Sequence, residues 1–209
     1  LYATRAPEAP SQSIEQVGEE TAQVTESDEA RYQISQENSQ VEFRIGEVLN
    51  DFDNTVIGVT SQIAGDIVLS GSTATIGTIS INARTFKTDN EFRDGAIVRF
   101  ILKAEDSANE FITFVPTASI NLPTSFFQGE SFNGVIVGNL TIAGITKSVI
   151  LNLEGSLSLE QLKGKVSGTL KRSDFNLVIP QVAKVASVED TFSIQVDICL
   201  LYTSPSPRD

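Results

Sequence analysis

Apolar and polar residues alternate along much of the chain, beginning near residue 31. Segment 41–45 alternates valine, phenylalanine and isoleucine with glutamate and arginine. The same period of two recurs in segments 79–82, 112–115 and 192–198. This period indicates β-strands that place one face in a core and the other in water.

Further strands are predicted wherever apolar runs are bounded by Gly, Asn or Pro. These segments cover residues 55–70, 117–122, 134–142, 148–159 and 164–172. Many strands with short breaks are typical of an all-β protein built as an antiparallel sandwich or barrel. In the stretch GNLTIAGITKSVIL (138–151), two apolar runs flank Ala143–Lys147, so we predict a tight hairpin in which Gly144 allows the reversal.

One segment, residues 88–102, follows a helical period instead. Its apolar residues recur three to five positions apart, as expected for one helical face: Phe92, Ala96, Ile97, Phe100 and Ile101. Thr88 and Glu91 have capping-box spacing. We therefore predict a helix of about 14 residues that packs over a barrel or plugs one of its mouths.

Composition sets limits on the domain and its partners. The 209 residues suit one domain with tails, and 40% of them are hydrophobic, which is enough for a core. The net charge of −12 argues against a nucleic-acid partner, which would need clustered Lys and Arg. The chain has no apolar run of about 18 residues, so the sequence predicts no membrane span.

The two ends differ from the middle. Residues 1–30 are rich in Glu, Pro, Ser, Thr and Gln, so we predict a disordered acidic linker. At the other end the strand pattern stops at Ile198, and a Ser-Pro repeat follows. We interpret residues 199–209, including Cys199, as a non-native tail, with a natural disordered end as the alternative. The chain starts at Leu1, which leaves room for a preceding signal peptide or membrane anchor.

Catalytic and metal-binding patterns are weak. The chain has no His, which excludes Ser-His-Asp catalysis and His-ligated metals. Acids cluster on both sides of the predicted helix, where capping and solvated surface explain them better than paired catalytic carboxylates. Ser173 and Asp174 fit a turn, and segment 51–54 lacks the Gly and distant Glu of a calcium loop. We expect no metal and no catalytic residue.

Several stretches together resemble the YceI-like family of polyisoprenoid-binding proteins. The resemblance covers residues 32–198, and the hairpin at 138–151 is its most specific part. The family often has a His near its first strand, where this chain has Gln36–Asn38 followed by Ser39. The stretches that carry the resemblance are 32–34, 39–43, Gly58 with 64–67, 81–85 with 90–94, 111–114, 138–149, 171–175 and 188–190.

The resemblance implies a closed antiparallel lipocalin-like β-barrel of about eight strands over residues 31–198. It also implies a lumen that holds a long isoprenoid chain of the quinone or polyprenyl type, in a protein located outside the cytoplasm. Under this hypothesis the inward side chains line the lumen: Phe43, Ile45, Ile79, Ile81, Ile112, Phe114, Leu140, Ile142, Val149, Leu151, Phe175 and Phe192. The apolar segment 176–180 is a further candidate for the mouth of the barrel.

Three basic residues are candidates for contact with the polar head of such a lipid: Arg93, Lys171 and Arg172. Solvated surface is the alternative interpretation for each of them. The inward side chains would also suit a structural or stress-related module with a filled core, and a hydrolase or isomerase is a further alternative. A membrane tether is compatible with the acidic linker, and the sequence leaves the oligomeric state open.

Overall fold

The computed structural model describes residues 13–14, 29–158, 161–181 and 185–203. The described residues are mostly β, with 60% of them in strands and one short helix. The described strands are β1 (Glu29–Ile34), β2 (Gln40–Leu49), β3 (Phe52–Thr60), β4 (Ile63–Ala64), β5 (Asp66–Ser70), β6 (Thr73–Ile76), β7 (Ile79–Asn82), β8 (Phe111–Pro116), β9 (Ile120–Asn121), β10 (Phe132–Ile142), β11 (Ile145–Ser158), β12 (Gln161–Lys171) and β13 (Val185–Thr203).

The strands form one antiparallel sheet that curls into a half-barrel. Its main order is β4-β7-β8-β10-β11-β12-β13-β1-β5-β6-β9, and β2 and β3 branch from β13. The lipocalin-like, all-β prediction is confirmed, whereas a closed barrel of eight strands is not. The reason lies at β3, whose contact with the segment after β7 is an isolated bridge between Val59 and Lys87 within the described residues.

The hairpin formed by β10 and β11 has the predicted tight reversal. Its two turn residues, Ala143 and Gly144, have φ angles of 49° and 76°. Positive φ at both positions is the geometry of a type I′ turn, which matches the twist of the paired strands. Leu140 and Ile142 are buried on one face of β10, and Lys147 on β11 is exposed. The sequence therefore specified both the turn and the buried face.

The last strand, β13, is longer than predicted. It continues to Thr203, and its end pairs with both β1 and β12, where Leu201 faces Gln33 and Gln161. Leu200 is fully buried between these partners. The predicted strand end at Ile198 is therefore wrong, because pairing on both sides stabilises a segment whose own pattern is irregular. The non-native origin of residues 199–209 stays a prediction.

The predicted linker falls mostly outside the described residues. Only positions 13, 14, 29 and 30 of segment 1–30 are described, and the last two already belong to β1. Disorder of the remainder therefore stays a prediction.

The helix is shorter and less regular than predicted. Helix α1 (Glu91–Ala96) continues as a π-helical segment over Ile97–Ile101. The predicted capping box is wrong: Asn90 caps the helix by accepting from the backbone N–H groups of Phe92 and Arg93. Thr88 instead donates its backbone N–H and its hydroxyl to the Asp94 carboxylate, at 2.7 and 2.8 Å.

The π-helical segment changes which side chains of the helix are buried. The wider turn rotates the following residues, so Val98 is buried while Phe100 is 39% exposed. Phe92 is 71% exposed, and Ile97 is buried as predicted. No helix among the described residues is long and apolar enough to cross a membrane.

The apolar interior divides into two clusters. The larger one includes Ile97 and Val98 beside α1 and Phe175 after β12. The smaller one lies at the other end of the half-barrel and includes Phe126 and Leu200. The clusters do not fill the interior, and the space that remains defines the candidate site.

Candidate ligand-binding cavity

A cavity of about 430 Å³ lies between α1, the inner faces of β2 and β13, and residues 177–180. Period-two alternation on the two strands turns every second side chain toward it. The apolar side chains from these elements are Val41, Phe43, Ile45, Leu49, Ala96, Leu177, Ile179, Pro180, Val185, Val188, Phe192, Ile194 and Val196. Phe92 also lines the cavity while 71% exposed, so its ring marks the edge toward solvent.

A second, smaller cavity of about 120 Å³ lies toward the other end of the half-barrel, where Phe126 and Leu200 line it. Four side chains line both cavities: Ile81 from β7, Leu140 from β10, and Ile194 and Val196 from β13. The smaller cavity is also lined by residues that do not reach the larger one, among them Ile79, Phe114 and Leu151. The interior therefore contains two apolar spaces that meet at a shared wall.

One edge of the larger cavity carries a polar cluster. The Arg93 guanidinium lies 3.0 Å from Oε1 of Glu47, whose side chain is only 6% exposed. Asn54 donates its amide to the same oxygen at 2.8 Å, and Arg93 also pairs with Asp89. The cluster joins β2 and β3 to the start of α1, and it neutralises a carboxylate that would be costly to bury alone.

A second arginine holds the chain segments that border the cavity. Arg172 donates to the backbone carbonyls of Leu177, Val188 and Glu189 at 3.2, 3.4 and 3.0 Å. Asp190 accepts from the hydroxyl and the backbone N–H of Ser173 at 2.7 and 2.9 Å. The hydroxyl bond, followed by the backbone bond, lowers the pKa of Asp190 below its ordinary value. These bonds tie the end of β12 to the start of β13.

Comparison with known proteins identifies the family of this fold. The family model of the YceI-like domain matches residues 32–200, which is most of the chain. The chain belongs to the YceI-like family. No curated protein matches it.

Solved structures of YceI-like and related proteins share this fold. A polyisoprenoid-binding domain from Saccharophagus degradans, implicated in plant cell wall breakdown, superposes with a TM-score of 0.61 at 14% identity, over 83% of this chain and 98% of that one. BcnA from Burkholderia cenocepacia gives 0.61 at 17% identity, over 79% and 98%. The YceI protein from Campylobacter jejuni gives 0.51 at 20% identity, over 66% and 80%. At these identities the likeness establishes the fold alone.

Most of the predicted lumen residues line one of the two cavities. The larger cavity is lined by Phe43, Ile45, Ile81, Ile112, Leu140, Ile142 and Phe192. The smaller one adds Ile79, Phe114 and Leu151. Contact of these side chains with a ligand stays a prediction.

Two predicted lumen residues line neither cavity. Phe175 is 1% exposed and Val149 is 9% exposed, and both belong to the larger core cluster. Phe175 lies in the 3₁₀ turn Arg172–Phe175, so its ring packs against neighbouring side chains instead of facing open space. The sequence placed both residues in the interior, but it does not separate packed core from cavity lining.

The three predicted head-group residues differ in their positions. Arg93 and Arg172 line the larger cavity, but both already have the protein partners described above. Lys171 is exposed and lines neither cavity, because Leu170, its neighbour on β12, is the residue that faces inward. A lipid head group could therefore reach the arginines only as an added partner.

Sequence reasoning missed part of the lining. Glu47 was not predicted, and its neighbours in the pattern do not mark it as buried. Ala96 was placed on the helix but not in the site, although it faces the cavity. Leu177, Ile179 and Pro180 do line the cavity, as the apolar composition of segment 176–180 suggested.

Several of the acidic residues near the helix and in the turns have structural roles. Asp106 caps the 3₁₀ turn Ser107–Asn109, and Glu110 pairs with Arg84 at 3.5 Å. Asn50 and Asp51, with φ angles of 50° and 67°, form the turn between β2 and β3. Among the described residues, no group of three or more Asp, Glu or Cys side chains is arranged to hold a metal ion.

Proposed function

We propose that this YceI-like protein binds a long-chain polyisoprenoid lipid, of the quinone or polyprenyl type, and carries it. The observation that supports the proposal is an apolar cavity of about 430 Å³ inside the half-barrel, edged by a small polar cluster. The structurally similar domain from Saccharophagus degradans is itself polyisoprenoid-binding. The polar cluster would lie nearest to the head of such a lipid.

The cavity volume sets the length of chain it can hold. A cavity of roughly 150 Å³ accommodates benzene, which corresponds to about 25 Å³ per carbon. On this scale 430 Å³ holds about 17 carbons, or about three five-carbon prenyl units. Burial of 15 carbons at about 0.8 kcal/mol each gives about 12 kcal/mol before the costs of association. Costs of several kcal/mol leave an affinity on the order of micromolar.

The alternatives have less support. A structural module with a filled core would not need a cavity of about 430 Å³. A hydrolase or isomerase would need free titratable groups in the cavity, whereas the Glu47 and Arg93 side chains are paired with each other. Binding without chemistry is the function that this lining favours.

Organic extraction of the purified protein followed by mass spectrometry tests the proposal. We expect a prenyl lipid in the extract, in less than stoichiometric amount because a ligand of micromolar affinity is partly lost during purification, and full binding when prenyl alcohols are added back. Protein that retains no lipid, and that binds none when prenyl alcohols are added back, would contradict the proposal and favour the structural module.

We also propose that the protein works outside the cytoplasm, as the resemblance to exported family members implies. Fractionation of cells that make the full-length gene product tests this location. Recovery of the protein with the cytoplasmic fraction would contradict the location without affecting lipid binding.

A further inference from the structure

The wall shared by the two cavities is built from two sides of the half-barrel. Ile81 and Leu140 come from β7 and β10, and β8 lies between these strands. Ile194 and Val196 come from β13, three strands beyond β10 in the sheet order. Their side chains line both spaces. A chain that enters the larger cavity therefore meets these four side chains before it can reach the smaller one.

Leu140 is the most buried residue of this wall. It is 5% exposed and pairs in register with Phe114 on β8. The Phe114 ring lies over Gly138, where a Cβ would be 2.4 Å from the ring. The Phe114 ring therefore fills the space that a side chain at residue 138 would take. It lies on the side of the smaller cavity. The Phe114 ring and Leu140 therefore lie side by side at the border of the two cavities.

The two cavities differ in the length of prenyl chain for which they have room. The larger cavity has room for about three prenyl units at about 25 Å³ per carbon. The smaller cavity, about 120 Å³, has room for about one more unit. Removal of three carbons from Leu140 would add roughly 75 Å³ and join the two spaces.

From this arrangement we infer that Ile81, Leu140, Ile194 and Val196 form a length-determining wall, which limits the buried part of a prenyl chain to about three units. The inference rests on the proposed function and adds a specificity rule to it. Prenyl units beyond the third stay outside the interior and add little affinity. Leu140 is the residue whose truncation extends the buried length.

The test compares the binding of C15 and C20 prenyl alcohols to the wild-type protein and to Leu140→Ala, by displacement of a fluorescent lipid probe. We expect the two alcohols to bind the wild-type protein within about twofold of each other, because the fourth unit finds no apolar contact. In Leu140→Ala we expect the C20 alcohol to bind at least about tenfold more tightly than the C15 alcohol, because a further unit is buried. Val135→Ala, on the exposed face of the same strand, is the matched control and should behave as wild type.

The outcomes separate the wall from the proposed function. If the wild-type protein already prefers the C20 alcohol tenfold, or if Leu140→Ala leaves the ratio unchanged, the wall is refuted while lipid binding stands. If neither alcohol binds either protein, both the wall and the proposed function are refuted. Val196→Ala opens the same wall from β13, and it decides the question if Leu140→Ala does not fold.

Discussion

Ala96 offers a way to fill the cavity without removing any existing contact. Its side chain faces the cavity of about 430 Å³ from the end of α1. Ala96→Phe adds six carbons, which is roughly the 150 Å³ that benzene requires. About 280 Å³ would remain, enough for about 11 carbons, or two prenyl units instead of three.

The expected loss of affinity follows from the displaced unit. Five carbons that stay in water forfeit about 4 kcal/mol of gross burial energy at about 0.8 kcal/mol each. Part of this loss is offset, because ordering a shorter buried chain costs less entropy. We therefore expect binding of a C15 prenyl alcohol to weaken by at least about tenfold. The melting temperature should not fall, because burial of the new ring is worth about 1.5–3 kcal/mol and the lower helix propensity of Phe costs under about 1 kcal/mol.

Calorimetric titration with the C15 alcohol, together with thermal unfolding, measures both effects. Ile150→Phe is the matched control, because residue 150 is 69% exposed on the outer face of β11. If Ala96→Phe is folded and binds the alcohol as tightly as the wild-type protein does, the lipid does not occupy this cavity.

Three further predictions concern the stability of the fold. Ala143→Asn should raise the free energy of unfolding by about 1 kcal/mol in urea titrations, since Asn tolerates the φ of 49° better than Ala does; an unchanged midpoint would contradict the turn assignment. Leu200→Ala should cost about 2–5 kcal/mol, whereas Leu201→Ala, at a residue 42% exposed, should cost under about 1 kcal/mol; equal effects would contradict the pairing of the β13 end. The lowered pKa of Asp190 stabilises the fold above the unfolded value of about 4, and this contribution is lost as the pH falls through the folded pKa. The melting-temperature difference between wild type and Ser173→Ala should therefore shrink from pH 7 to pH 3, and a constant difference would refute the Ser173–Asp190 bond as its source.

The alternation of apolar and polar residues predicted the strands and their buried faces well. Leu140 and Ile142 show why, since strand geometry places every second side chain on the same face. Sequence reasoning could not separate Phe175, in packed core, from Phe192, in the cavity lining. That difference depends on how distant elements pack, which a local pattern does not contain.

Long-range pairing accounts for most of what the sequence did not reveal. The ion pair of Glu47 with Arg93 joins residues 46 positions apart, so neither neighbourhood predicts it. The end of β13 is ordered by β1, 170 or so positions earlier, as the bond of Thr203 to the Arg31 carbonyl illustrates. The interruption of the barrel at β3 likewise depends on which strands meet there, and a count of strands does not reveal it.

Photolabelling with a prenyl analogue that carries a diazirine on its third unit tests directly whether the lipid lies inside the half-barrel. After irradiation, peptide mass spectrometry locates the attached carbon. We predict labels on the inner faces of β2, β10 and β13, at residues such as Ile142 and Phe192, with competition by unlabelled C15 alcohol. Labels confined to exposed positions such as Ile150, or labels that the unlabelled alcohol does not displace, would contradict an internal binding site.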